Sequence, residues 1–434
     1  MSSQKLRSEI FKSFDLSLNG MRKIIKDFHS EMSRGLAGEE SSLKMIPAYV
    51  DRPTGEETGQ FMALDLGGTN FRILKLELIG NGRFRISKAR KFTLDERCLA
   101  GTAGELFAFL ADRIKGFIKD DRIGWENKVE IGFTFSFPVE QTAVASGTLL
   151  RWTKGFKARG VIGKDVVELL NEALSKREVG NIEISALAND TVGTLMARSY
   201  EDHACDIGVI IGTGTNACYS ERLSDIPKWR GPKREGERMI VNTEWGNFNK
   251  LALTKYDRAL NRSSSNPGQQ ILEKMVSGMY LGELTRFVLM DLMKKRGPLG
   301  KKYSFKTEYM SRIEGDDSKR LSATGYILKK AGMAATTLGD RMTVKKICGL
   351  VSSRGARISA AAMAALITKI DPDLSGDHTI AIDGSLYERH PTFSKNIKTA
   401  FIEIFGKKAS RIKMSLTKDG SGKGAAIIAA VASK

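Results

Sequence analysis

Residues 61–70 read FMALDLGGTN, and residues 207–216 read IGVIIGTGTN. Each stretch opens as an apolar run of strand length and passes through glycines into Thr-Asn. Each then continues into a segment that still reads as extended, FRILKLEL after the first and ACYSER after the second. The pattern predicts a strand, a tight turn and a second strand, once in each half of the chain. Glycine lets a backbone approach a ligand closely and adopt positive φ. Successive N–H groups and a Thr hydroxyl in such a turn form a pocket for anionic oxygens. A turn of this kind in each half predicts a phosphate group held between two related lobes.

Outward from these turns the elements alternate. The N-terminal stretch LRSEIFKSFDLSLNGMRKIIKDFHSEMSRGL carries apolar residues at three- and four-residue intervals and reads as helical. YVDRPTGEETGQ (49–60) interrupts it and marks a domain boundary. Strands are predicted at 61–66, 71–79 and 83–93, a helix at 103–119, a strand at 128–135, a helix at 163–177, a strand at 181–187 and a helix from Thr191. After Cys205 the same grammar restarts, with strands at 207–213 and 216–221. A mostly helical insertion over 250–370 precedes a strand at 378–383, a helix at 391–404, a strand at 408–416 and a final helix at 424–432. Both halves can be written as three strands, helix, strand, helix, strand, helix, which predicts a duplicated α/β unit with a cleft between the copies.

With 434 residues, two domains are the natural expectation. The 41% hydrophobic and 27% charged composition is that of a soluble globular protein, and no run approaches the ~18 apolar residues of a membrane span. MSSQKLRSEIFKSFDLSL lacks the apolar core of a signal peptide, and Glu9 and Asp15 argue against a transit peptide. The four cysteines (Cys98, Cys205, Cys218, Cys348) have no paired spacing, so neither a metal cluster nor a disulfide framework is expected. Reduced thiols point to a cytoplasmic location, with an organellar address read by an unfamiliar signal left open. The formal charge of +19 gathers in KWRGPKREGER (228–238), KKRGPLGKK (294–302) and KKASRIK (407–413). None has the aromatic interleaving of an RNA-binding surface, so a solvated basic exterior is preferred over nucleic acid or membrane as the reason.

Two motif matches lead nowhere. GTGTNA (212–217) satisfies the dinucleotide pattern, but ACYSERL after it is a strand and not a Rossmann helix. GSGKG (420–424) resembles part of a P-loop, but Thr417 stands where the first glycine belongs. Its backbone N–H groups are left to approach phosphate or cap the last helix.

Four other stretches are candidates to carry chemistry. In SALANDTVGTLM (185–196) a strand ends at Asn189-Asp190 and a helix begins. Taken alone, Asp190 reads as an N-cap. Between two glycine turns it reads better as a base taking a proton from a hydroxyl. FTFSFPVEQTAVASGTLLRWTKGF (133–156) runs from a strand end through a long loop whose Ser, Thr and Lys suit sugar hydroxyls; the plainer reading is a packed surface loop. VNTEWGNF (241–248) and SSSNPGQQILEK (263–274) supply Glu244 and Glu273, either solvated surface charges or, with Asn189 and Asn216, partners for a polyhydroxylated ligand. None of the four histidines stands in a Ser or Cys nucleophile motif.

At this point the chain resembles the hexokinase family, as a single-unit eukaryotic-type member, over nearly everything from about residue 20 onward. The resemblance rests on DLGGTNFR (65–72), FSFPVEQ…GTLLRWTKGF (135–156), LANDTVGTL (187–195), GTGTNACY (212–219), NTEWG (242–246), SSSNPGQQILEKMVSGMYLGEL (263–284), DGSLYERHPTF (383–393) and DGSGKGAA (419–426), in that order. It implies the duplicated actin-like ATPase (ribonuclease H-like) α/β fold, with two lobes, a central cleft and a helical insertion in the second lobe. The expected division is an N-terminal helical segment (1–51) on the large lobe, a small lobe (52–188, with helix 419–434) and a large lobe (189–418).

The resemblance further implies ATP-dependent transfer of a phosphoryl group to the 6-hydroxyl of a hexose, glucose first among them, as the opening step of glycolysis. Asp190 resembles the catalytic base. Ser136, Phe137, Thr153, Lys154, Asn189, Asn216, Glu244, Gln270 and Glu273 resemble the sugar site. Asp65, Gly67, Gly68, Thr69, Asn70, Arg72, Gly212, Thr213 and Gly214 resemble the phosphate neighbourhood, and Gly384, Ser385 and Tyr387 part of the nucleotide pocket. No direct metal ligand is implied; Mg²⁺ arrives with ATP, with Asp65 reaching it through water. VSSRGARISAAAMAAL (351–366) is similar to the helix flanking the adenine, where the family often has Arg-Ala-Ala and this chain has Arg354-Gly355-Ala356. The expected partners are hexose and MgATP, with no nucleic acid and no membrane anchor, in a monomer or homodimer. The other readings are a catalytically silent sugar sensor on the same fold and, from charge alone, an RNA-binding protein. The hinges are expected near 51–60, 187–191 and 416–420.

Overall fold

The computed structural model describes residues 3–67, 70–120, 128–152, 155–232, 236–293, 298–333 and 335–433. The chain opens with helices α1 (Ser3–Phe14) and α2 (Leu18–Ala37) and a short strand β1 (Ile46–Pro47). Next come β2 (Thr58–Gly67), β3 (Asn70–Gly80), β4 (Arg83–Thr93), α3 (Glu96–Ala100), α4 (Ala103–Lys119) and β5 (Val129–Phe135). They are followed by β6 (Val139–Ala143), β7 (Ser146–Leu149), α5 (Val166–Ser175), β8 (Ile182–Ala188) and α6 (Asp190–Glu201). The second half holds β9 (Cys205–Ile211), β10 (Thr215–Arg222), β11 (Arg238–Asn242), α7 (Lys255–Ser263), α8 (Ile271–Val276), α9 (Gly278–Met293), α10 (Thr307–Glu314), α11 (Ser322–Lys330) and α12 (Leu338–Ile370). It closes with β12 (His378–Asp383), α13 (Ser385–Arg389), α14 (Phe393–Phe405), β13 (Ile412–Leu416) and α15 (Gly420–Ala432).

The strands form two sheets of the same design. One has the order β4-β3-β2-β5-β8, antiparallel among its first three strands and parallel from β2 through β5 to β8. The other repeats it as β11-β10-β9-β12-β13, with the same directions, and adds β1 outside β11. The two glycine turns therefore join equivalent strand pairs, β2 to β3 and β9 to β10. This is the duplication expected from the repeated grammar.

The sheets are tied through two helices. α6 follows the first sheet but packs on β9 and β10 of the second, whereas α15 follows the second and packs on β2 and β5 of the first. α6 and α15 also lie against each other. A methyl on Gly424 would sit 1.9 Å from the carbonyl oxygen of Gly193, and one on Gly193 would sit 2.7 Å from that of Ser421. Bare backbone at both positions is what allows this approach. Around the pair lies a small cluster of Ala63, Leu74, Ala186, Val192, Leu195 and Ile427.

α1 and α2 join the hydrophobic cluster of the second sheet through Leu6, Ile10, Phe14, Phe28 and Met32. Its spine is α12, whose 33 residues are long and apolar enough to cross a membrane; 83% of its most apolar window is buried inside the protein, so it is a core helix. Arg354 on α12 forks onto Asp257 at 2.9 and 2.7 Å and stacks 4.3 Å from the Phe14 ring. Gly355 faces Met275 of α8, where a methyl would come 3.2 Å from its carbonyl oxygen. The Arg-Gly-Ala variation thus belongs to a tightly packed helix face.

Departures from the expected elements have local causes. The N-terminal helix is two helices, because Ser17 accepts the Gly20 N–H at 3.2 Å and starts a new one. The long loop after Phe135 contains the hairpin β6–β7, whose weak alternation hides it. α5 starts at Val166, capped by Asp165, and not at 163. The strand expected from 408 starts at Ile412 after a 3₁₀ turn. The last helix begins at Gly420, not 424, so GSGKG is its first turn.

Candidate active site

At the end of β8 the backbone of Asn189 is extended, and its Oδ1 accepts the Thr191 N–H at 2.9 Å and the Thr191 hydroxyl at 2.8 Å. Asn189 is therefore the cap of α6, and Asp190 is the first helical residue. The capping role that Asp190 could have filled is taken by its neighbour.

Asn189 also belongs to a polar chain. Asn216, the second residue of β10, points Nδ2 toward Asn189 Oδ1 at 3.4 Å, Asn242 Oδ1 at 2.9 Å and Glu244 Oε1 at 3.0 Å. Asn242 donates to the same Glu244 oxygen at 2.9 Å. Glu244 takes a left-handed backbone (φ 53) just past β11. Burial pushes its carboxyl above the ordinary range and the Asp190 charge adds to this, while the amide donors pull against it.

Glu273 on α8 accepts the Thr215 N–H at 3.1 Å, which places it beside the second glycine turn. Gln270 precedes α8 in a left-handed conformation, and its Oε1 occupies the space that a side chain on residue 246 would fill. Lys274 fixes this loop from beneath. Its buried ammonium donates to Asn261 Oδ1 (2.8 Å), Asn266 O (2.7 Å) and Gln269 O (2.8 Å), and burial lowers its pKa to about 8. Arg151, from the first half, donates to Gln269 Oε1 at 3.1 Å.

Ser136 follows β5, donates its N–H to Leu66 O at 3.1 Å and lies against Gly67. The ring of Phe137 turns inward. It is buried between Phe135, Trp152 and Phe156 (centroids at 4.8, 4.9 and 4.7 Å), so its side chain holds the strand end in the core. Thr153 and Lys154 lie outside the described residues, as do Gly68 and Thr69 of the first turn.

On the phosphate side, Gly67 pairs with Asn70 across the first turn. Asp65, two register steps inward from it, accepts Arg72 Nε at 3.0 Å and the Ser421 hydroxyl at 3.1 Å. Arg72 also contacts Asp419 ahead of α15. Burial opposes the Arg72 charge, but the two aspartates more than offset it and raise its pKa. At the second turn Thr213 is exposed, while the carbonyls of Gly212 and Thr213 accept Gly278 and Met279 N–H at 2.8 and 3.1 Å. The turn is thereby anchored on the start of α9, and Gly214 lies against Glu273. Gly384 backs onto Gly212, and Ser385 is exposed beside it. Tyr387 is only 8% exposed and belongs to the hydrophobic cluster of the second sheet.

Sequence reading missed Asn242, Asp383 and Lys274. Asp383 ends β12, accepts Gly384 N–H at 2.6 Å and Gly420 N–H at 3.3 Å, and so joins that strand to α15. Burial pushes its carboxyl up; the two N–H groups pull it down, and Asp419 and Asp190 push it up again. A polar residue closing an apolar strand is the signal both Asn242 (RMIVN) and Asp383 (HTIAID) offered. Lys274 offered none, since a helical lysine is ordinarily solvated.

Comparison with known proteins adds a separate line. Residues 7–200 and residues 206–431 match two family models, each described as hexokinase. Hexokinase-7 of Oryza sativa subsp. japonica is 41% identical over 426 residues, covering 93% of this chain and 92% of its own. Hexokinase-2 of Solanum tuberosum is 43% identical over 424 residues, covering 92% and 85%. The solved hexokinase from Schistosoma mansoni, complexed with glucose, aligns with a TM-score of 0.87 at 37% identity, over 99% of this chain and 100% of its own.

Proposed function

We propose that this chain, which belongs to the hexokinase family, transfers the γ-phosphoryl group of MgATP to the 6-hydroxyl of a hexose, with glucose as its first substrate. The amide and carboxylate chain Asn189–Asn216–Asn242–Glu244, with Glu273 and Gln270, offers donors and acceptors to sugar hydroxyls. Asp190 takes the proton of the attacking hydroxyl and orients its oxygen. The glycine turns, Thr213 and Arg72 hold phosphate oxygens, so catalysis is mostly positioning and charge stabilisation.

What supports this reading most is that one charge, Asp190, bears on both Glu244 and Asp383. On this reading the base is close enough to both Glu244 and Asp383 for its charge to raise their carboxyls. The charges of Asp419 and Asp190 both bear on Asp383, and the described residues hold no preformed cluster of three metal ligands, so the cation arrives with the nucleotide. Asp383 and Asp65 are the carboxylates that would hold Mg²⁺ through its water shell, where it would neutralise charge on the phosphates.

Water competes with the sugar for the same phosphate, so the lobes close on sugar binding. The moving parts are 52–188 with 419–434 against 189–418 with 1–51, turning at 51–60, 187–191 and 416–420. The four cysteines are free and buried, which fits a reducing, cytoplasmic setting for a glycolytic enzyme.

The test is a coupled ADP-release assay of purified protein with MgATP and, in turn, glucose, mannose and fructose. Sugar-dependent ADP release is expected. Its absence with all three sugars overturns the proposal.

A further inference from the structure

The segment that follows β12 is held at both of its ends. At its start, Gly384 backs onto the second glycine turn, where a methyl on it would sit 2.4 Å from the Ile211 carbonyl oxygen. Ser385, exposed, then opens α13 beside that turn. At its end, His390 is buried against Glu314, the last residue of α10. The chemistry proposed above makes no use of this second attachment.

Its geometry is specific. Glu314 Oε2 accepts the Ser352 hydroxyl of α12 at 2.9 Å and the Thr392 hydroxyl at 2.8 Å. Glu314 Oε1 faces His390 Nε2 at 3.4 Å, and both atoms are buried with no other hydrogen-bond partner among the described residues. The second ring nitrogen, Nδ1, accepts the Thr392 N–H at 3.5 Å. A ring that accepts at Nδ1 carries its proton at Nε2, so that N–H is aimed at the carboxylate. Parted from each other, a buried N–H and a buried carboxylate oxygen would both go unmet, which is costly. The pair therefore fixes where α13 ends.

α10 also packs on α9, whose Gly278 and Met279 N–H groups hold the carbonyls of Gly212 and Thr213. Glu314 thus stands behind both elements that shoulder the second glycine turn. We propose that Glu314 and His390 are positioning residues for the nucleotide: without touching it, they set where Gly384 and Ser385 lie beside that turn. This inference rests on the proposed function, in which the segment after β12 faces the nucleotide.

The test is steady-state kinetics of the full chain, with the KM for MgATP and the KM for the sugar measured separately. His390→Leu removes the donor and is expected to raise the KM for MgATP about ten-fold, leaving that for the sugar within about two-fold. His390→Gln returns an N–H near the place of Nε2 and is expected to recover most of the loss. Glu314→Asp keeps the charge but withdraws the oxygens by one methylene, and is expected to raise the KM for MgATP about three-fold. Combined with His390→Leu it adds little, since both changes break the same contact. Should His390→Leu fail to fold, Glu314→Asp and His390→Gln decide on the same readings. A purely structural role would raise both KM values together, and that outcome overturns the proposal. An unchanged KM for MgATP, or effects of the two changes that multiply in full, overturns it as well. Wild-type protein active on no sugar fails the proposed function and this inference with it, whereas an active wild type whose variants keep its KM values fails this inference alone.

Discussion

The Asn189 side chain accepts the Thr191 N–H at 2.9 Å, so the helix that begins at Asp190 is capped by the residue before it. Chemistry and stability are thereby separated onto adjacent positions. Asp190→Asn is expected to lower kcat by about 10²–10⁴ while leaving sugar affinity and stability nearly unchanged. Asn189→Ala is expected to lose about 1 kcal/mol of stability through the cap, together with sugar affinity. Steady-state kinetics and urea unfolding of both variants check this. An Asp190→Asn enzyme of normal kcat removes the base from this position.

With Glu244 in the proposed sugar site, sugar binding has a pH signature. Burial, reinforced by Asp190, raises its carboxyl above the ordinary 4.5, so it protonates at a higher pH than a surface glutamate does. A protonated Glu244 is a weaker acceptor for sugar hydroxyls and for Asn216 and Asn242. The KM for sugar is therefore expected to rise as pH falls through that raised value, and kcat to change less. Glu244→Gln is expected to raise KM by about 10- to 100-fold and to flatten this acid limb. An unchanged acid limb in the variant assigns the titration elsewhere.

The fold was legible because its signal is repeated. Two apolar runs ending in Gly-Thr-Asn, each followed by a second strand, fix the hairpins at Gly67–Asn70 and Ile211–Thr215, and sheet order follows from chirality and alternation. Asn189 was readable as a polar residue at the end of a parallel strand, where such sheets place ligands, Asn216 as the residue leaving the second glycine turn, and Glu244 as a carboxylate just past a short apolar strand. What was not readable is direction. Phe137 follows one strand and Asn216 stands at the start of another, yet one ring turns into the core and one amide into the polar chain, a choice set by partners elsewhere in the chain. Asp383 was passed over because its neighbours Gly420 and Asp190 approach it only through the two crossing helices. The hairpin β6–β7 was invisible because its residues alternate too weakly to mark a buried face.

His378 gives stability its own pH dependence, away from the cleft. Its Nδ1 lies 2.7 Å from Asp206 and its Nε2 3.3 Å from Asp371, which ties the starts of β9 and β12 to the end of α12. The Asp206 hydrogen bond raises its pKa above 6.5 despite burial. A raised pKa means this contribution is full below 6.5 and is lost as pH rises through the folded value. Asp371 is held at about 2, first by the Gly376 N–H, so its share is full above 3.8 and fades as pH falls toward 2. His378→Gln is expected to cost about 1.5–3 kcal/mol near pH 5–6 and progressively less toward pH 9, by chemical denaturation across that range. A cost that grows with pH contradicts the clamp.

The crossing of α6 and α15 is the joint on which both lobes depend. At Gly424 a methyl would meet the Gly193 carbonyl oxygen at 1.9 Å, whereas at Gly116, in the last turn of α4, it would meet nothing within 4 Å. The same glycine-to-alanine change should therefore act with opposite sign at the two sites. Gly116→Ala is expected to stabilise by up to about 1 kcal/mol through helix propensity. Gly424→Ala is expected to destabilise by about 1–3 kcal/mol, because two backbones must separate to admit the methyl. It is also expected to lower kcat, since Asp190 starts one of these helices and the Gly420 N–H held by Asp383 starts the other. Paired urea unfolding and kinetics decide it: equal, stabilising effects at both positions would mean that the helices give way without cost and that the joint is softer than its glycine contact implies.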